Sequence, residues 1–198
     1  MVNPPHSPQD LNVLSQLVHV FDQLGIPYAI GGSMASSTYG VVRFTQDADI
    51  TVAPFADQAQ RFYDLVHQDF YISLEAMTQA IQQRSSFNVI HFESAFKIDL
   101  FVRKDTTFER ELLLRRQLLK LSDSDVDTLA FVSPEDIVLL KLRWYHEGGR
   151  ISERQWHDVL GVLTIQQQRL DYDYLDQQAR NLGIKDLLDQ AIQESQNS

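Results

Sequence analysis

The sequence contains no cysteine, which excludes a disulfide framework and any thiolate metal site. No apolar run approaches the length of about 20 residues that a membrane-spanning helix needs. Positive charge is scarce. Seventeen Lys and Arg against 27 Asp and Glu leave a net charge of −10, which argues against a general nucleic-acid-binding surface. Glycine (8) and proline (6) are sparse too, so there is no flexible linker between domains, and no internal repeat is visible. The opening Met-Val-Asn-Pro-Pro-His-Ser-Pro lacks the basic and apolar regions of a signal peptide. A soluble, cytoplasmic protein is therefore expected. With 198 residues, 43% of them hydrophobic, the chain can bury one core, with or without a helical extension.

What is present begins with residues 28–52. Tyr28, Ala29 and Ile30 form a short apolar run stopped by Gly31 and Gly32, and a small-residue stretch follows from Ser33 to Thr38. If residues 46–52 are a strand, period two sends Asp47, Asp49 and Thr51 to one face and Ala48, Ile50 and Val52 to the other. Two carboxylates side by side above buried neighbours are costly unless a cation neutralises them. Hard oxygen ligands of this kind favour magnesium carrying substrate phosphates. Gly-Gly-Ser entering a short helix offers backbone N–H groups and a hydroxyl to an anion. An ordinary strand-to-helix turn is the plainer account of the same glycines. Phosphate cradle and metal clamp together point to chemistry on a nucleoside triphosphate.

Gly32-Ser33, thirteen intervening residues and Asp47-Ala48-Asp49-Ile50 resemble the signature of the polymerase-beta-type nucleotidyltransferase superfamily. The longer form, Gly31 to Ala35 with Tyr39-Gly40, Arg43 and Thr45, is similar to two bacterial branches. One holds the abortive-infection and minimal nucleotidyltransferases of toxin–antitoxin systems. The other holds the aminoglycoside and lincosamide nucleotidyltransferases. The similarity covers roughly residues 26–102. It implies an α/β (α+β) fold: a small mixed β-sheet core flanked by helices and followed by a C-terminal helical region. It also implies an enzyme that moves a nucleotide from a triphosphate to an acceptor hydroxyl, with two magnesium ions. Asp47 and Asp49 would bind both ions.

Later in the chain, 87–92 and 96–102 read as a hairpin, with Lys97, Asp99 and Phe101 on one face of its second arm. A carboxylate at Asp99, inside an apolar strand, needs a cation, a donor or water. An ion pair with Lys97 or an arginine satisfies it; so does a place beside Asp47 and Asp49 in a three-carboxylate cluster. The resemblance implies the second, with Asp99 sharing a metal and helping to deprotonate the attacking hydroxyl.

Helices are expected from Pro8 to Leu24, capped by Ser7, and over 56–67 and 73–84, with a first strand at 26–30. Residues 107–120 read as a basic amphipathic helix with room for an interruption near its end, Asp123–Asp127 as a polar turn, and Leu129–Val132 as a last edge strand. Ser133-Pro134 opens a helix that carries Lys141 and Arg143. Helices over 153–167 and 172–182, capped by Ser152 and Asp171, precede a tail that frays over its last six residues. The best boundary lies near Ser133, giving a nucleotidyltransferase core over 1–132 and a helical region over 133–198.

Cations concentrate in residues 97–154, which hold eleven Lys and Arg beside eleven Asp and Glu, as a solvated helix face or as a receiver of polyanions. The nucleotide-binding candidates are Gly31, Gly32, Ser33, Arg43 and Lys141. Arg43 either tethers its loop to a carboxylate or touches phosphate; Lys141 either reaches the triphosphate across a cleft or is simply solvated. Asp158 resembles an acidic position in the toxin-like relatives, and a structural role is expected for it. The six histidines form no metal set, and no P-loop, dinucleotide fingerprint, zinc motif or nucleophile triad appears. The partners implied are a nucleoside triphosphate, an acceptor (RNA, protein or a small molecule such as an antibiotic) and, for a toxin, a cognate antitoxin protein, with no membrane involved. A non-catalytic module of the same fold that binds nucleotide or a partner is the rival reading.

Overall fold

A computed structural model describes residues 8–120 and 128–197. The cap at Ser7 and the turn at 123–127 lie outside the described residues. The first helix, α1 (Pro8–Leu24), lays Leu14, Leu17, Val18 and Phe21 against the sheet at helical spacing. It is followed by β1 (Tyr28–Ile30), α2 (Gly32–Tyr39) and β2 (Asp47–Val52). A 3-10 turn at Ala56–Gln58 leads into α3 (Ala59–Val66), then β3 (Phe70–Ile72) and α4 (Leu74–Gln83). The hairpin β4 (Ser86–His91) and β5 (Lys97–Val102) comes next, then α5 (Thr107–Leu114), β6 (Gln117–Lys120) and β7 (Thr128–Phe131). The remainder is α6 (Pro134–Glu147), α7 (Glu153–Gln166), α8 (Tyr172–Asn181) and α9 (Lys185–Gln196).

Among the described residues the strands form one mixed sheet in the order β3-β4-β5-β2-β1-β7-β6. The central pair, β2 and β5, is parallel, and β1 runs antiparallel to β2. Alternation along β2 and β5 is strict: Ala48, Ile50, Val52, Ile98, Leu100 and Val102 are buried, and the intervening residues face the open side. The buried apolar side chains form one cluster from Val13 to Ala191, so the C-terminal helices share the core of the sheet.

Several expectations are corrected. The helix expected over 107–120 is more than interrupted: α5 ends at Leu114, and 117–120 form a strand antiparallel to β7. Period two replaces period 3.6 there, with Leu119 packed on the core and Leu118 exposed, because pairing with β7 supplies the backbone partners. Consequently β7 is not an edge strand. It lies between β6 and β1, parallel to β1, and the Val132 N–H donates to the Ile30 carbonyl at 2.9 Å. The three-residue β3, pairing antiparallel with β4, was not expected, since so short a run carries little periodicity. The first strand starts at Tyr28 rather than Ile26. Finally, α9 stays helical to Gln196, pinned where Trp156 Nε1 donates to Glu194 at 2.8 Å.

Candidate active site

The parallel register sets Asp49 directly across from Asp99 and Asp47 directly across from Lys97. All four side chains therefore stand on one face, away from the buried Ala48, Ile50 and Ile98. Thr45, itself buried, donates through Oγ1 to Asp47 Oδ1 at 2.6 Å and fixes that carboxylate. Lys97 Nζ donates to Asp99 Oδ2 at 2.7 Å. Both readings of Asp99 thus meet in one geometry: it sits beside the acidic pair, and Lys97 holds it.

The glycine turn abuts this face. The Gly31 N–H donates to the Asp49 carbonyl at 2.8 Å, tying the N-terminus of α2 to β2. Gly32 has φ +55, and a Cβ there would lie 1.8 Å from Asp49 Oδ2. Only glycine allows helix and carboxylate to approach this closely. Ser33, the next residue, accepts from Arg43 Nη2, and Arg154 Nη2 lies 3.4 Å from the same hydroxyl.

Arg43 and Lys141 meet at Asp158. The arginine binds it through two nitrogens, each at 2.9 Å, and Lys141 Nζ donates to Oδ2 at 2.7 Å. Lys141 is 2% exposed, so it is not a solvated lysine. Burial lowers its pKa, and the Asp158 charge opposes that shift. Burial of Asp158 works the other way, but hydrogen bonds and charge from Arg43 and Lys141 hold its carboxyl below the usual range.

The placement of Lys141 depends on α6, whose start is fixed in the interior. Ser133 Oγ caps the Asp136 N–H at 3.1 Å and donates to Asp136 Oδ2 at 2.9 Å. Tyr174 donates to Oδ1 of the same carboxylate at 2.7 Å. Burial pushes the Asp136 carboxyl up to about 6 despite those hydrogen bonds.

Burial also pushes the Asp49 carboxyl up to about 6, and the charges of Asp47 and Asp99 add to that shift. The positive charges of Lys141 and Lys97 offset that shift only in part. The donor set, three aspartates with hard oxygens on adjoining strands, fits a divalent cation such as magnesium in kind. As placed, with Asp99 turned to Lys97, no three His, Asp or Glu side chains among the described residues converge on one metal position.

Sequence reasoning undervalued Asp158 and passed over Arg154. The spacing of these two, four apart on α7, places them on one helix face, but Arg43 and Ser33, which they contact, lie more than a hundred residues away, and Lys141 sits on another helix.

No protein-family model matches the chain, and no curated protein matches it in sequence. Solved structures do match in fold. The antibiotic-resistance factor ANT(2'')-Ia superposes with a TM-score of 0.56 at 11% identity, over 96% of each chain. An antigenic nucleotidyltransferase-like protein from Paracoccidioides brasiliensis gives 0.56 at 18% identity, over 94% of each. The lincosamide antibiotic adenylyltransferase LnuA, bound to lincomycin, gives 0.51 at 13% identity, over 80% of this chain and 98% of that one. These likenesses define the class of the fold. It is the nucleotidyltransferase fold, carried over nearly the full length of the chain. Among the described residues no helix is long and apolar enough to cross a membrane.

Proposed function

We propose that this protein is a magnesium-dependent nucleotidyltransferase that moves a nucleoside monophosphate from a triphosphate to an acceptor hydroxyl. The observation that carries this reading is the register of β2 on β5, which aligns Asp49 with Asp99 and sets Asp47 on the same face, against the Gly32-Ser33 start of α2. In the reaction the acceptor oxygen bonds to the α-phosphorus while the bond to the β,γ-pyrophosphate breaks. Pyrophosphate leaves with that electron pair, and the hydroxyl proton passes to Asp99. A pair of magnesium ions held by Asp47, Asp49 and Asp99 would lower the acceptor pKa and neutralise the leaving group. Ser33, the free N–H groups of α2, Arg43, Lys141 and Arg154 hold the phosphate tail. Lys97 must release Asp99 for the carboxylate to take the proton.

For the acceptor we favour an RNA end or a protein hydroxyl, as in toxin-like relatives, in which case a cognate antitoxin protein is a further partner. The fold shared with ANT(2'')-Ia and LnuA supports a second reading, transfer to an antibiotic hydroxyl. Incubation with α-labelled triphosphates, magnesium and a panel of RNA, protein and antibiotic acceptors tests the proposal. Label should reach one acceptor class with the wild type and none with Asp47→Ala. Nucleotide binding with no transfer on any acceptor would leave a binding module instead.

A further inference from the structure

Resting on that function, we infer that the cavity beside Asp49 is the acceptor subsite and that it receives the 3′-terminal nucleotide of a single-stranded RNA. The cavity has a volume of about 450 Å³, within the range of small-ligand pockets and adequate for one nucleotide. It begins at Gly31, Gly32 and Asp49 and continues past Thr51 and Phe101 toward the C-terminal ends of β2 and β5, beneath Trp144 of α6.

Its position follows from the stereochemistry of displacement. Attacking oxygen, phosphorus and leaving oxygen lie in line, so the acceptor enters opposite the pyrophosphate. The cations suited to pyrophosphate gather at Ser33: Arg43 precedes β2 in sequence, and Arg154 and Lys141 join it there. None of these residues lines the cavity, which opens at the other end of β2, beyond Asp49. The donor's own nucleoside hangs from a third oxygen of the phosphorus, off that line.

The chemistry of the lining selects among acceptors. Phe101 and Trp144, with ring centroids 6.1 Å apart, form an aromatic wall on which a base stacks. The carboxylates here are already engaged: Glu109 and Glu147 each lie 3.6 Å from Arg143, and Glu109 also accepts from the Lys104 N–H. Arg84 and Lys104, by contrast, make no side-chain hydrogen bond or ion pair among the described residues, so away from Asp49, which belongs to the acidic cluster where cations would gather, the uncommitted charge of the cavity is positive. That repels a polycationic aminoglycoside and attracts an anion joined to a ring. A nucleotide whose terminal hydroxyl points at Asp49 and Asp99 satisfies wall and rim together, whereas a serine or tyrosine side chain brings no anion. A net charge of −10 argues against a long basic track for a duplex, which favours a single-stranded end.

The test uses full-length protein, magnesium, α-labelled triphosphate and three acceptors: a short single-stranded RNA with a free 3′ hydroxyl, a protein mixture and tobramycin. Extension of the RNA by a nucleotide is expected. Arg84→Gln, Lys104→Gln and Phe101→Ala should each raise KM for RNA about tenfold, the equivalent of one lost charge-assisted contact or stack. KM for the triphosphate should stay within about twofold, and unchanged circular dichroism would show that the variants fold. Label on protein or tobramycin but not on RNA would overturn this inference and leave nucleotidyl transfer standing. A raised triphosphate KM with unchanged RNA KM would assign the cavity to the donor. Absence of transfer to any acceptor would remove the parent function as well.

Discussion

Gly32 separates the close-approach geometry of the site from mere backbone preference. Gly25 and Gly32 both adopt left-handed backbone, with φ +65 and +55, and alanine pays about 1–2 kcal/mol for that conformation at either position. No atom lies within 4 Å of a Cβ on Gly25, so Gly25→Ala should lose only this backbone term. In a chain of this length that lowers Tm by roughly 2–4 °C per kcal/mol. A Cβ on Gly32 would sit 1.8 Å from Oδ2, 2.6 Å from Cγ and 2.8 Å from Cβ of Asp49. Ordinary contact begins at 3.4 Å, so the carboxylate must retreat by about 1.5 Å, and such crowding adds about 1–3 kcal/mol. A misplacement of about 1 Å at a reacting centre costs on the order of 100-fold in rate. Gly32→Ala should therefore lose about 2–5 kcal/mol by urea denaturation and at least about 100-fold in nucleotidyl transfer, while Gly25→Ala keeps its transfer rate. Equal stability losses in the two variants, or transfer by Gly32→Ala within about fivefold of wild type, would refute the claim that Asp49 is placed by the missing side chain.

Three more outcomes are expected. Lys97 faces Asp47 across the strands and binds Asp99, so Lys97→Met should tighten magnesium or manganese binding several-fold by calorimetry; weaker binding would mean that the lysine does not compete with the ion. The Asp49 carboxyl titrates near 6 in the folded chain and near 3.8 when unfolded, so folded protein holds the extra proton between those values and loses stability as pH rises through them. Asp49→Asn should accordingly stabilise the chelator-treated protein at pH 7, by up to about 3 kcal/mol, and flatten that part of the pH profile while abolishing transfer; a destabilised variant would contradict this. Asp158→Ala leaves Lys141 buried without its partner and should cost about 3–5 kcal/mol, whereas Asp158→Leu combined with Lys141→Met should cost much less; equal losses would show that the pair is not coupled.

The site was legible where chemistry and periodicity coincide. Asp47, Asp49 and Thr51 alternate with Ala48, Ile50 and Val52, so the face was readable from sequence, as was the glycine stop before Ser33. The Ser133, Ser152 and Asp171 caps also announced three helices through their side-chain chemistry. The edge strand at 117–120 was hidden because Leu112, Leu113, Leu118 and Leu119 satisfy a helical stripe as well as a strand, and only β7 as a partner decides. The interior ion pair was hidden for another reason. Asp158 lies 115 residues from Arg43 and 17 from Lys141, and no local pattern distinguishes a lysine destined for burial from a solvated one.

The charges of the site divide in a way that suits its proposed substrate. Around Ser33, Arg43 and Lys141 share one carboxylate, Asp158, and Arg154 adds a third cation, which leaves an excess of positive charge where the phosphate tail would rest. Across Asp47, Asp49 and Asp99, Lys97 is the only cation hydrogen-bonded to the cluster among the described residues, which leaves an excess of negative charge where cations would gather. A triphosphate bridged by divalent ions carries the complementary arrangement, anionic at the tail and cationic at the α-phosphorus. Each excess is costly while the site is empty, as the raised Asp49 pKa shows for the acidic end, and binding relieves both together. Nucleotide and metal should thus raise Tm more than additively when supplied together, and strictly additive shifts in a thermal melt would mean that the two ends are not linked.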